Sequence, residues 1–352
     1  MTEELLPPKD FYFSTLDWVK NTGNQECLFE IYPELKIPGV SRTEEYKIIE
    51  GKPEYSNKAF VAILPGGRVL SDRAVISPDN KLLWDLSVEW MAPPEQHSIF
   101  KEEKLPPLTM SEETVAMLNH PASNNYFHWM LEALARIHLI EQSKIKIDKY
   151  IINHHSLPFQ LETLEAWGIS DDRIIVPHHH FHLKAKQLVV PSYVNLPNIW
   201  SCKYVREFLL NRVRIKKNKQ YKRIYITRKN RRKVTNEKEI LHVLHKYGFK
   251  SISPESMSVQ EQLEVFYSAE IVIAAHGAGL ANLVFCQPGT RVIELFAPSY
   301  IEPHYWLISR LMDLDYRFII GKTKNPNSYW SGFDDMEIDS WALIKELKLT
   351  TY

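Results

Sequence analysis

Residues 270–283 read EIVIAAHGAGLANL, and this stretch decides the fold. Glu270–Ala275 is almost wholly apolar, as a strand is when helices cover both faces of its sheet. A turn follows at His276, and Gly277–Leu283 starts a helix. The next apolar run, Arg291–Phe296 (RVIELF), is another strand. Upstream, Ser258 with Glu261 makes a capping box, and Val259, Leu263, Phe266 and Tyr267 behind it share one apolar face. Lys250–Ser253 is a short strand. Asn236 with Glu239 resembles a second capping box, opening a helix that ends at Gly248. Arg223–Thr227 (RIYIT) is the first strand of this series. Strands alternating with helices predict a parallel sheet.

A similar series lies further upstream. Thr114–Leu118, Tyr150–Ile152, Arg173–Val176 and Gln187–Val190 read as strands. Tyr126–Glu141 carries apolar residues at helical spacing, and Leu157–Trp167 is a helix that stops at Gly168. Residues 1–110 are irregular and strand-rich, with short runs such as Ala59–Leu64 broken by turn signals. Residues 201–219 read as a Lys/Arg-rich helix ahead of the second series, and the two series join near residues 191–203. The expected class is α/β, with two Rossmann-like domains: 1–195, carrying the strand-rich leader, and 200–335. Residues 336–352 hold a last helix, drawn at Asp339–Leu349, which docks on either domain through Trp341, Leu343, Ile344 and Leu347.

The 352 residues are 44% hydrophobic and 24% charged, ordinary for a globular chain. The 43 basic residues balance 43 acidic ones, so no global pull toward nucleic acid or anionic membrane is expected. Cys27, Cys202 and Cys286 are far apart and form no CxxC pair, which argues against a disulfide framework or a zinc site. The opening MTEELLPPKDF has no apolar h-region, and the longest apolar stretch, Ile271–Cys286, is short for a bilayer. A cytoplasmic protein is expected, at most peripheral at the inner face of the plasma membrane.

Three constellations carry chemistry. The turn His276-Gly277-Ala278-Gly279 follows a buried strand and opens a helix, where free backbone N–H groups and the helix dipole favour an anion. Its glycines let a phosphate approach, and His276 adds a donor that can be cationic. A tight turn in which the glycines only solve a packing problem reads equally well. Next, Arg228 stands just past the carboxyl end of a strand, the edge where ligands of open α/β sheets sit. It is placed to reach a diphosphate with forked hydrogen bonds. No acidic residue interrupts Arg212–Lys233, and most of that run reads as solvated surface. Third, His128 and Glu132 are one helical turn apart. A carboxylate beside an imidazole can orient a general base, although spacing alone favours a structural pair.

Other features read as structural. His178, His179, His180 and His182 belong to a surface loop or strand edge, since alternate strand residues face opposite ways. Asp313-Leu314-Asp315 fits the Asp-x-Asp pattern of metal-dependent transferases but stands among apolar residues. Trp129, Trp306 and Trp330 pack the core or rim. A dehydrogenase is disfavoured because the third glycine of the dinucleotide fingerprint is missing. A glycosidase is disfavoured because only Glu132 stands as a catalytic carboxylate.

HGAGLAN followed by PGTRVIELF, preceded by YITRKNRRKVTNEKEI and SVQEQLEVFYSAE, resembles glycosyltransferase family 61. NYFHWMLEALARI resembles that family's first-half motif, and together the likeness covers about residues 59–300. The resemblance implies a GT-B architecture with a cleft facing both domains, and inverting transfer from a UDP-sugar to a hydroxyl of a glycan or glycolipid. It implies surface polysaccharide synthesis of the bacterial type, and no cofactor or metal. It points to Arg228, His276, Gly277, Ala278, Gly279, Asn282 and Glu294 on the donor side, Glu294 for the ribose hydroxyls. It points to His128 as base, with Glu132 orienting it. Ala135 stands where some versions carry proline. The alternative is a protein that binds nucleic acid or an acidic surface through residues 212–233; no nucleic acid is expected under the preferred reading.

Overall fold

The computed structural model describes residues 6–42, 48–50, 54–87, 89, 92–153, 156–213, 215–323 and 332–348. The chain divides into two compact units: residues 1–35 with 55–196, and residues 36–54 with 197–352.

Unit 1 is built on β1 (Thr109–Met117), β2 (Lys149–Ile151), β3 (Ile174–Ile175) and β4 (His182–Pro191). These run parallel in the spatial order β3-β2-β1-β4. The chain adds β2 and β3 on one side of β1, then crosses to lay β4 on the other. The strand order therefore switches between β1 and β4. On its far side β4 takes two antiparallel strands, Ala59–Pro65 and Arg68–Leu70. Most of the strand-rich leader thus extends the same sheet, which has ten strands among the described residues, while Lys36–Ile37 with Glu54–Tyr55 and Val40–Arg42 with Ile48–Glu50 form two separate two-stranded pairs. β1 and β4 are also longer than their apolar cores suggested. Their centres, Val115, Met117, Leu188 and Val190, meet Leu64 and Ile151 in one core. Each such side chain taken from water contributes about 1.5–3 kcal/mol.

Unit 2 holds β5 (Arg223–Ile226), β6 (Lys250–Ile252), β7 (Ile271–Ala275), β8 (Arg291–Phe296) and β9 (Asp315–Ile320). All pairs are parallel and the order is β6-β5-β7-β8-β9, so this sheet switches between β5 and β7. Every residue of β7 is buried, as its unbroken apolar run predicts. The Ser258–Glu261 capping box forms as read. The Asn236–Glu239 box does not. The Asn236 side chain instead bridges the backbone of Ile338, accepting from its N–H at 3.0 Å and donating to its carbonyl at 2.8 Å.

The basic helix spans Ile199–Arg212 and stops short of residue 219. The last helix, Ser340–Lys348, belongs to unit 2, where Leu343 and Leu347 join Ile240, Leu244 and Ile319 in the core. Trp341 stays 76% exposed and does not dock. Among the described residues no helix is long and apolar enough to cross a membrane. The three cysteines are free and buried.

Candidate functional site

Each unit gathers its polar residues at the carboxyl edge of its sheet, beside its own switch point. That is where open α/β sheets bind ligands, because the two connections there leave in opposite directions and open a crevice.

In unit 1, β1 ends at Met117 and leads to Asn119 and His120. Asn125 then caps a helix, accepting from Phe127 N–H at 2.9 Å. The helix starts as one α turn, Tyr126–His128, opens into a π turn over Trp129–Ala133, and resumes as Ala135–Ser143. Leu134 N–H bonds Trp129 O, five residues back. Single π turns recur at functional sites. Here it presents His128, Glu132 and Arg136 together.

Glu132 is buried, and its Oε2 is 2.7 Å from His128 Nδ1 and 2.7 Å from His120 Nε2. The two rings stack at 5.1 Å. His120 Nδ1 accepts the Ala122 N–H at 3.1 Å, which leaves the ring proton on Nε2, facing the carboxylate. Burial raises the Glu132 carboxyl, but hydrogen bonds from His120 and His128 outweigh it and hold the group below its ordinary value. Burial also pushes His120 down, against the pull of Glu132. The pair read from spacing is therefore a triad. His120 escaped the sequence reading because nothing periodic links it to the helix; a lone His just past an apolar strand was the available signal.

The triad stands on Arg136. This fully buried guanidinium donates to the carbonyls of Met117, Asn119 and Pro191, tying the ends of β1 and β4 together. It also lies 4.5 Å over the Tyr193 ring. Asn119 is buried, and both polar atoms of its side chain lack a partner among the described residues. His120, His128 and Glu132 offer atoms close enough to hold a metal ion. Two donors on one carboxylate oxygen make a hydrogen-bonded set, and an ion would have to displace the protons on both rings.

In unit 2, β5 leads to Arg228 and β7 to His276. Arg228 donates to His276 O at 2.8 Å and to Arg231 O at 2.9 Å. A Cβ on Gly277 would fall on the Arg228 guanidinium, so this glycine makes room for an arginine. Gly279 has no such duty: its Cβ would meet Pro254 at an ordinary 3.6 Å. The turn continues as a 3₁₀ helix, Ala278–Phe285, and not as the α-helix expected from residue 277. Its first bond runs from Leu280 N–H to Gly277 O, so the N–H groups of Ala278 and Gly279 come before the hydrogen-bonded turn. Asn282 is buried and holds this turn from behind through Gln262 and Gly279 O, at 2.8 and 3.1 Å.

Two expectations change. Glu294 is wholly buried, with one oxygen 2.6 Å from His276 Nδ1 and the other accepting the Tyr316 hydroxyl at 2.5 Å. It is engaged inside the protein and does not present itself to a ribose. His276 is also buried, and burial with the Arg232 and Arg228 charges holds its pKa down to about 3, so it is no cation. Burial pushes the Glu294 carboxyl up to about 8. Across the neutral range the pair shares one proton. Placed on Glu294, that proton points at Nδ1 and obliges the neutral ring to carry its own on Nε2. His276 is then a neutral N–H donor.

Arg232 completes the centre. It lies 5.0 Å over the Tyr300 ring, and Tyr300 packs on His276 at 5.4 Å. Its buried Nε has no partner among the described residues. The sequence reading left Arg232 among solvated cations. Its backbone φ of 54°, a left-handed turn, is what a run of basic letters does not reveal.

His178, His179 and His180 are exposed as read, but His182, read as surface with them, is buried, its Nδ1 3.0 Å from Pro106 O. Asp315 pairs with Arg291 at 2.7 Å. Trp129 and Trp306 are core; Trp330 lies outside the described residues.

Residues 126–293, which include His128, Glu132, Arg228, Arg232 and His276 but not His120 or Glu294, match the Glycosyltransferase 61 family model. The segment belongs to glycosyltransferase family 61. This chain is 44% identical over 73 residues to beta-1,2-xylosyltransferase RCN11 of Oryza sativa subsp. japonica, covering 21% of this chain and 13% of that one. It is 35% identical over 60 residues to beta-1,2-xylosyltransferase of Arabidopsis thaliana, covering 17% and 11%. It is 30% identical over 145 residues to the EGF domain-specific O-linked N-acetylglucosamine transferase of Drosophila melanogaster, covering 37% and 28%. The matched stretches thus span less than a third of these relatives. Among solved structures, it is similar to the bacterial iron-containing dodecameric glycosyltransferase TibC from enterotoxigenic E. coli, at TM-score 0.29 and 9% identity, covering 84% of this chain and 82% of that one.

Proposed function

We propose that this family-61 chain transfers a sugar from a nucleotide-sugar, a UDP-sugar, to a hydroxyl of a glycan, with inversion and without a metal. The observation that carries the reading is the inward-turned Arg232, with an unmet buried N–H, beside Arg228 and His276. An unmet donor in a cationic recess is a demand for an anion. A diphosphate answers it, and the N–H groups of Ala278 and Gly279 add to the cradle.

The acceptor oxygen forms its bond to the anomeric carbon as the bond to the diphosphate oxygen breaks. The electron pair leaves with the diphosphate, whose growing charge Arg228, Arg232 and His276 Nε2–H stabilise. The acceptor proton passes to Nε2 of His128, because Nδ1 faces Glu132, and the carboxylate stabilises the imidazolium that forms. His120 steadies Glu132. A nucleic-acid reading has less support: the basic run is divided among a helix end, a strand and a loop.

Titration calorimetry with UDP tests the donor half. Arg228→Ala and Arg232→Ala are each expected to weaken binding by about 1.5–3 kcal/mol, the scale of hydrogen bonds to charged groups. Unchanged affinity in both folded variants rejects the site.

A further inference from the structure

Unit 1 also holds a cleft of about 630 Å³ that no step above uses. That size falls in the range of about 300–1,000 Å³ usual for small-molecule sites. Its lining includes four acidic residues, Glu30, Glu34, Asp85 and Glu89, with Trp84 and Tyr193 as aromatic surface; Asp85 already accepts from Thr15 at 2.8 Å and Glu89 from Ser98 N–H at 2.6 Å. Lys58 is the single basic side chain in the lining, and it pairs with Glu30 at 3.0 Å.

The cleft is joined to the triad. Tyr193 sits edge-on to His120 at 5.9 Å and carries Arg136 on its face. On another wall, Trp84 packs edge-on against His97 at 6.2 Å. His97 is fully buried, and its Nε2 has no partner among the described residues. Its Nδ1 accepts Ile99 N–H at 3.2 Å, so in the neutral ring that Nε2 carries an unmet proton. A recess with several acceptors around it and two aromatic rings suits a polyhydroxylated ring. Ionised carboxylates accept O–H bonds and donate none. Flat rings cover the C–H face of a sugar. Against the four acidic residues stand only Lys58 in the lining and Arg73, 3.4 Å from Glu89, and the remaining negative charge repels an anionic ligand.

We infer that this cleft is the acceptor subsite, taking an uncharged saccharide through its hydroxyls and excluding uronate- and phosphate-bearing chains. The inference rests on the transferase reading and adds a substrate class to it.

The test is a printed array of neutral and anionic glycans probed with the full chain, with UDP calorimetry on the same preparation. Wild type is expected to bind neutral glycans alone. Trp84→Ala should lower that signal at least tenfold while UDP affinity holds. Glu34→Lys, an exposed change that leaves the core alone, should admit uronate-bearing glycans. UDP binding with no neutral glycan bound overturns the subsite and leaves the donor reading standing. So does neutral binding that survives Trp84→Ala, or an unchanged preference in Glu34→Lys. Loss of UDP binding by wild type itself overturns the transferase reading.

Discussion

Glu294→Gln tests the protonation of the pair behind the donor turn. In the neutral arrangement the acid's O–H points at His276 Nδ1 across 2.6 Å, and its carbonyl oxygen takes the Tyr316 hydroxyl across 2.5 Å. A glutamine supplies an amide N–H for the first and an oxygen for the second. Stability should then change by no more than about 1 kcal/mol. Were the pair an imidazolium and a carboxylate, the amide would strand a buried cation, at a cost of about 3–5 kcal/mol. For a unit of this size 1 kcal/mol moves the melting midpoint by roughly 2–4 °C, so the two cases separate clearly. The pH dependence has a definite sign. Glu294 titrates at about 8 in the fold, above its ordinary 4.5. Its contribution is therefore full below pH 4.5 and lost as pH rises through about 8. His276 works on the acid side, where stability falls as pH drops from its ordinary 6.5 toward about 3. Once Glu294 ionises it draws the ring proton to Nδ1, and Nε2 turns from donor to acceptor. Wild-type UDP affinity should thus weaken above about pH 8, and Glu294→Gln should keep it. Scanning calorimetry and UDP titration between about pH 6 and 9 read both effects. A variant destabilised by about 3 kcal/mol or more, or one that retains the alkaline loss, refutes the neutral pair.

Gly277→Ala should match Arg228→Ala in UDP affinity, because the new methyl displaces the guanidinium; titration of the folded variant checks it. His128→Ala should lose about 10²–10⁴ in transfer rate while UDP affinity holds, read by single-turnover assay beside calorimetry. Activity should survive EDTA; abolition by chelation and rescue by manganese or magnesium would restore a metal to the His120, His128 and Glu132 set. Arg136→Leu should destabilise unit 1 by about 3–5 kcal/mol, since buried carbonyls lose a charged donor, visible in urea unfolding.

The second series was legible because β7 is buried on both faces, and a strand so placed leaves an unbroken apolar run in the letters. Arg228 and His276 followed from standing just past such strands. What stayed hidden depends on contacts between distant residues. Nothing local in Asn119-His120 says that the histidine meets Glu132 across a π turn. The capping letters at Asn236 were right for a box, but Ile338, far along the chain, offered that side chain a better-matched pair of backbone groups. Glu294 looked available because its strand end was correctly placed. Which way a side chain faces there is set by register with β7 and β9, and that is a tertiary fact. The leader's strands were visible one by one, while their merger with the parallel sheet was not, because antiparallel pairing with β4 leaves no periodic mark.

Residues 36–54 count with unit 2, although the residues on both sides of them count with unit 1. Neither unit is therefore one uninterrupted stretch of gene. During synthesis the ribosome releases residues 36–54 long before residues 197–352, so this early piece must stay out of unit 1 until its own unit has been made. A single cut at residue 196 would free neither unit whole, and a clone starting at 197 would lack a part of what it is meant to express. Exchanging either unit of this protein with a relative's would take three junctions, after residues 35, 54 and 196.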